Sequence, residues 1–309
     1  MEDCSRGNQD ARDGRVEPRS DQVGLRFRLK QRIDKLGNPD DGISLVQGLL
    51  RRAWRLATVL TAQPAEFVDR VVGLADRLTD RRDPPITMPL LAEAIWPLLS
   101  AASGADVAAL RREPVLAAAD ALLEDHNANL PADAPFGVGN SAEPFVGHIA
   151  YVLCRILRPE TVVETGVAYG GLTTYLLSAL EANKRGVLHS IDLPPILERH
   201  GRWVGLFVPQ KLRARWTLHL GASRRVLPDL LKKVRPVGLF IHDSLHTKRN
   251  MAWEFATATP YLASRAAVLS DDVERNHAFE DWARPTATRW ALVREVERPG
   301  WLGVAFISR

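Results

Sequence analysis

Cysteine is almost absent: Cys4 and Cys154 are the only two in 309 residues. One lies in a polar stretch and the other in an apolar helical run. That excludes a disulfide framework and a cysteine metal cluster, and it fits a reducing compartment. Long apolar runs are missing too. The most apolar window, Pro84 to Ala102, is broken by prolines and by Glu93, so it does not read as a membrane span. Met1 is followed by Glu2 and Asp3 with no basic or apolar leader pattern. The expectation is a cytoplasmic protein without membrane partners. The basic excess is small, a formal +4, and no basic stripe with interleaved aromatics occurs, which argues against a nucleic-acid partner. A G-x-G-x-x-G fingerprint is also lacking, which weighs against an NAD-linked oxidoreductase.

What is present is an ordinary globular composition, 46% apolar and 25% charged, with enough apolar residues for a sizeable core. Residues 1–41 are charged, rich in Gly, Asp and Arg, and poor in apolar periodicity. They read as a disordered tail, with a basic cluster at Arg26–Arg32. Residues 42–136 read as a helical N-terminal region. Leu45, Leu49, Leu56 and Val59, then Phe67, Val71, Leu74 and Leu78, recur at three- and four-residue steps, and Val107–Leu123 continues the pattern. Gln63-Pro64 and Asp83-Pro84-Pro85 divide it into separate helices. No cluster of catalytic residue types occurs there, so a lid or a module for homo-oligomerisation is expected.

From about residue 137 the pattern changes. After a helix at Glu143–Leu157, apolar strands at Thr161–Glu164, Gly186–Asp192, Trp216–Leu220, Val237–His242 and Ala266–Ser270 alternate with helices. Those helices fall at about Gly171–Ala182, Arg224–Val234 and Lys248–Thr259. Such alternation implies a parallel sheet covered on both faces. Trp290–Glu297 and Leu302–Ser308 flank Arg298-Pro299-Gly300 and predict a terminal antiparallel hairpin.

Chemistry-bearing residues sit where those strands end. The turn Val163 to Gly171 places Glu164 at a strand end, with Gly166 and Gly170 allowing a sharp turn and close approach of a ligand. A carboxylate there repels a pyrophosphate and suits a cationic ligand. Asp192, about twenty positions beyond the glycines, can accept from both hydroxyls of a ribose. Ser223, after a further strand, can meet an adenine edge or cap the helix that starts beside it. Asp243 follows Phe240-Ile241-His242, and His246 lies three residues on, a natural base near neutral pH. Asp271 and Asp272 follow another apolar strand, and with Asp243 they make an oxygen-rich set suited to Mg2+.

As an ordered set, VVETGVAYGG, LHSIDLP, LFIHDSLHT and VLSDDVERNHAF resemble the class I S-adenosylmethionine-dependent methyltransferases, in particular their small-molecule and sugar O-methyltransferase-like branch. The resemblance runs from about Gly139 to the C-terminus. It implies a Rossmann-like α/β methyltransferase sheet ending in an antiparallel hairpin, within residues 137–309. It also implies that Glu164, Gly166 and Gly170 hold the donor's methionine portion, with Asp192 on its ribose and Ser223 nearby. Asp243, Asp271 and Asp272 map onto the ligands of Mg2+-dependent members. His246, with Asp243, takes the place of the base that deprotonates a small-molecule hydroxyl. Two departures, Leu172 for a small hydroxyl residue and Ala222 for an Asp near the adenine, motivate an alternative: a non-catalytic scaffold that keeps the fold and binds S-adenosylmethionine or a nucleotide.

Overall fold

In the computed structural model the described residues are 59–60, 63–135, 144–195, 201–295 and 300–309. The expected tail, the leucine pattern at Leu45–Leu56 and the Arg298-Pro299 turn lie outside them. Residues 55–309 form one compact unit.

An eight-stranded sheet organises this unit. Its strands are β1 (Leu90–Leu91), β2 (Thr161–Thr165), β3 (Val187–Asp192), β4 (Trp216–Leu220), β5 (Val237–His242), β6 (Leu262–Ser270), β7 (Arg289–Arg294) and β8 (Trp301–Ser308). They lie side by side in the order β1-β7-β8-β6-β5-β2-β3-β4. β2 through β6 are mutually parallel, and β8 runs antiparallel to both β6 and β7. This is the Rossmann-like sheet with a terminal hairpin. The strand order reverses between β2 and β5, which makes the crevice beyond their carboxyl ends the place where an open α/β sheet binds ligands.

Helices cover both faces because every central strand buries both of its sides. Val162, Leu239, Ile241, Ala267 and Leu269 face one apolar cluster. Their neighbours Val163, Phe240, Ala266 and Val268 face the other. The period of two thus persists within runs that look uniformly apolar in sequence, as expected for parallel strands. On the first face pack α4 (Pro114–Ala128), α5 (Pro144–Leu157) and α6 (Gly171–Asn183). On the second lie α7 (Ser223–Val234), α8 (Lys248–Ala258) and α9 (Ala278–Thr286). Ahead of them come α1 (Pro64–Thr79), α2 (Ile95–Ser103) and α3 (Val107–Leu110).

The predicted elements match, apart from the unpredicted helix α9 and three further differences. The continuous pattern at Val107–Leu123 divides into α3 and α4, because Pro114 cannot continue a helix but can begin one. β6 begins at Leu262, four residues early: Leu262 pairs with Val237 ahead of an irregularity in register, through a half-polar stretch that hides the strand period. The third is β1. Leu90 and Leu91 leave the helical region and pair in parallel with Val293 and Arg294, adding an edge strand to the sheet. Two exposed residues between prolines carry no readable period.

Helices α5 and α6 meet at Gly147, where an added Cβ falls 2.1 Å from the ring of Tyr175. Tyr175 is fully buried and donates to Asp120 at 2.5 Å, so the ring cannot swing away freely. Gly147→Ala gains about 0.5–1 kcal/mol in helix propensity but overpacks this contact, which costs about 1–3 kcal/mol. The variant is expected to be net destabilised, by about 1–2 kcal/mol, read as a lowered urea midpoint; an unchanged or raised midpoint refutes the close-packing account.

Candidate active site

The ladder of backbone hydrogen bonds continues one residue past the strand ends. Gly221 N–H donates to Asp192 O (2.7 Å), Gly166 N–H to Ile191 O (2.9 Å), Asp243 N–H to Thr165 O (2.8 Å) and Asp271 N–H to His242 O (2.9 Å). These bonds set the sequence-predicted residues along one edge of the sheet, on both sides of the switch between β2 and β5. Gly166 is indispensable to that alignment. Its φ is +87°, and a Cβ would lie 1.9 Å from the Asp243 carbonyl oxygen. Gly170 has φ +88° and opens α6, with Gly205 and Val208 against it.

Glu164 is wholly buried. Its Oε2 accepts from Thr173 (2.8 Å) and Ser190 (2.6 Å), while Oε1 is buried without a hydrogen-bond partner. Ser190 is itself held by the Trp216 indole N–H at 2.9 Å. Burial pushes the Glu164 carboxyl up to about 8, against the pull of the two hydroxyls and with the push of Asp243 and Asp192. Asp192 takes the backbone N–H groups of Val167 (2.7 Å) and Ala168 (2.9 Å) on Oδ2, so it clamps the glycine turn. Burial raises its pKa, the two amides oppose that, and Arg70 of α1 pulls in the same direction as the amides.

Ser223 behaves differently from the expected helix cap. Ala222 occupies the capping position, Ser223 is the first helical residue, and its hydroxyl lies close enough to Glu254 to help lower that carboxyl's pKa. The expected cap at Thr247 does form, accepting from Asn250 N–H at 3.4 Å.

His246 stands between two carboxylates. Its Nδ1 lies 3.1 Å from Asp272 Oδ2, and its Nε2 lies 3.4 Å from Asp243 Oδ1. The first is a hydrogen-bonding distance. The second is within charge-pairing reach but lacks hydrogen-bond geometry, so Nε2 is a buried nitrogen without a hydrogen-bond partner. Burial alone would lower the pKa of this imidazole, yet the two carboxylates outweigh it and push it up to about 10.

Beneath the edge lies a polar knot that the sequence reading missed. Glu254 of α8 accepts from Thr165 (2.6 Å), Ser244 (2.7 Å) and Asn250 (3.2 Å), and bonds His242 Nδ1 at 2.7 Å. Burial raises its pKa, but the His242 partner and the hydroxyls win and bring it down to about 2. The His242 ring packs edge-on against His246, centroids 5.5 Å apart. A signal existed: Glu254 shares the helical stripe of Met251, Phe255 and Ala258, which marks it as buried.

The expected Mg2+ set does not form. Asp243, Asp271 and Asp272 share one edge of the sheet, but the imidazole of His246 stands between Asp243 and Asp272. Among the described residues no group of three or more His, Cys, Asp or Glu side chains is arranged to hold a metal ion. As folded here, these residues do not fit a divalent cation, and Asp272 serves the histidine.

Residues 163–273 match the methyltransferase-domain family. No curated protein matches the chain in sequence. Among solved structures, it resembles a Klebsiella pneumoniae protein provisionally assigned as an O-methyltransferase, at 18% identity and TM-score 0.47, over 70% of this chain and 100% of that one. An O-methyltransferase from Bacillus cereus in complex with SAH is 14% identical, TM-score 0.45, over 69% and 96%. A Streptomyces achromogenes O-methyltransferase of tomaymycin synthesis, in complex with SAM, is 14% identical, TM-score 0.45, over 70% and 96%.

Gly166→Ala puts a methyl group into the Asp243 carbonyl and an L-residue at φ +87°. The left-handed conformation alone costs roughly 1–2 kcal/mol, and the clash adds to it. The variant is expected to lose more than about 2 kcal/mol of stability by urea denaturation. A loss below about 0.5 kcal/mol shows that the turn can move away from Asp243 and that the alignment is not fixed there.

Proposed function

We propose that this chain, whose residues 163–273 are a methyltransferase domain, transfers a methyl group from S-adenosylmethionine to a hydroxyl of a small molecule. The single observation that carries the donor assignment is the fully buried Glu164 beside Asp192 at the switch point, with Oε1 lacking any partner. A buried carboxylate oxygen with nothing to accept from is a place for a cation or an N–H donor. The methionine end of the donor carries both. Asp192, already fixed by the glycine turn, is suited to the ribose, and Gly166 and Gly170 keep the backbone bare beside it. Ser223 is suited to the adenine end through its position after β4.

The bound donor supplies a methyl group already activated by its sulfonium, so what remains for the protein is positioning and proton removal. His246 is the base: Asp272 orients the ring through Nδ1, and Nε2 is left to take the acceptor's hydroxyl proton as its oxygen attacks the methyl carbon in line. Asp243 lies beside Nε2 and stabilises the imidazolium that results. No step is assigned to Mg2+. The scaffold alternative draws on Leu172 and Ala222. Leu172 is buried in the apolar cluster beneath the turn, and Ala222 is the N-cap residue of α7; both have structural employment, which weakens that alternative.

The two perturbed groups set the pH dependence. Below about 8 Glu164 carries a proton, and a cationic donor favours its ionised form. Donor affinity should therefore rise with pH up to about 8 and then level off, with a proton released on binding at neutral pH. Calorimetry of S-adenosylmethionine in buffers of different ionisation enthalpy reads that proton. Glu164→Gln should abolish the release and weaken binding about tenfold or more; a wild-type titration without proton release removes Glu164 from the donor site. Binding should be the same with Mg2+ or with a chelator.

His246 must be neutral to accept a proton, while its carboxylates keep it charged up to about 10. Once an acceptor is in hand, kcat should climb with pH between 7 and about 9. Asp272→Asn should shift that climb towards lower pH. His246→Ala should cut kcat by about 10²–10⁴-fold with donor binding retained. Undiminished turnover in that variant would exclude the base assignment.

A further inference from the structure

α1 is seated upside down. Its buried side chains are two aspartates, Asp69 and Asp76, while Val68, Val71, Leu74 and Leu78 face outward, with Leu78 78% exposed. An amphipathic helix normally buries its apolar stripe. Here what faces the domain is charge. Asp69 pairs with Arg225 at 2.9 Å, and Asp76 with Arg224 at 2.9 Å and Arg249 at 3.4 Å.

The path of this helix is as unusual as its face. At its N-terminal half Arg70 donates to the Pro194 carbonyl (2.6 Å), two residues beyond Asp192. In the middle, Gly73 sits against the Leu245 side chain, 3.9 Å from where its Cβ would be. Past its end, Asp80 accepts from Lys248 N–H (3.0 Å), and Asp83 takes Lys248 Nζ and His277 Nε2, each at 2.6 Å. The helix therefore passes beyond the carboxyl ends of β3 and β5, and the segment after it beyond β6, alongside the edge where Asp192 and His246 lie. Arg224 and Arg225 immediately follow Ser223, so the latch points lie at the nucleoside end of that edge.

We propose that α1 is a lid on the donor site, closed by arginine–aspartate pairs and opened without exposing apolar core. This inference rests on the donor assignment above. Opening lifts two aspartates and their arginines into water, and the outward leucine and valines are already there. The hydrophobic effect, which holds the other helices down and is indifferent to moderate salt, gives this one little. Its closure is electrostatic. The Debye length falls from about 10 Å at 0.1 M salt to about 3 Å at 1 M; the aspartates are buried but their arginines are one-third to four-fifths exposed, so salt reaches these pairs from the arginine side. Arg225 and Arg249 are the more exposed partners and Asp76 is the buried hub, so the latch releases around Asp76.

The test is the dissociation rate of S-adenosylhomocysteine from the full-length protein, by stopped flow on tryptophan fluorescence. This ligand is a net-neutral zwitterion, so its own charge adds little salt dependence. Between about 0.05 and 0.5 M NaCl the wild-type rate is expected to rise roughly tenfold. In Asp76→Asn the rate should start roughly tenfold higher and change less than about twofold across the same range. Thermal unfolding of the same samples shows whether the variant is folded. As a second reading, Gly73→Cys/Leu245→Cys in a Cys4→Ser background, joined by a short bis-maleimide, should trap ligand bound beforehand and exclude ligand added afterwards. A salt-insensitive rate, or free exchange in the crosslinked protein, overturns the lid while leaving the donor site intact. Failure to bind S-adenosylhomocysteine at any salt overturns the donor assignment and the lid with it.

Discussion

Everything at this site depends on one constraint: carboxylates are gathered at one sheet edge, Glu164 wholly out of water and the others only partly in it. Glu164, Asp192, Asp243 and Asp272 share that edge, and each must find a proton, a donor or a cation. Each has a different solution. Glu164 takes two hydroxyls and a raised pKa. Asp192 takes the amides of the glycine turn. Asp243 and Asp272 take the two nitrogens of one imidazole. The shape of the turn and the placing of the His246 ring follow from how these charges are met.

The same reasoning separates two roles that the sequence merges. An Asp–Asp pair after one strand and an Asp after its neighbour look like a divalent-cation site because hard oxygen donors collect there. The histidine three residues beyond Asp243 competes for the same oxygens. With its ring between them, the surplus negative charge is met by an imidazolium. In the proposed role of His246 as base, Asp272 orients the ring and raises its basicity. The cost is a base that holds its proton too tightly at neutral pH.

The strands of residues 144–309, and their helices other than α9, were readable because each carries its own local signal. Apolar runs of five or six residues, the glycine turn at Gly166 and Gly170, and the strand-final acids Glu164 and Asp192 all report on nearby chain. Ser223 was half readable: its place after β4 was right, but the helix starts one residue early, so Ala222 and not Ser223 takes the capping position. Glu254 and His242 were passed over for the related reason that their importance is relational. A carboxylate on a buried helical stripe is visible; the four groups that converge on it are not.

The first helix was the most misleading element, since its periodicity is sound and its orientation is inverted. Phe67, Val71, Leu74 and Leu78 mark an amphipathic helix correctly, and the ordinary inference is that this stripe faces the core. That inference fails because the core behind it is already closed by Leu227, Leu231, Met251 and Phe255 from α7 and α8. What the domain offers α1 is a rim of arginines around a ligand crevice, which recruits the helix by its aspartates. A helix held that way adds little to the stability of the sheet below it, and for that reason it is free to move without unfolding anything. The absence of catalytic residue types from the N-terminal region is consistent with this division of labour: the chemistry sits on strand ends that cannot move, and access is governed by a helix that can.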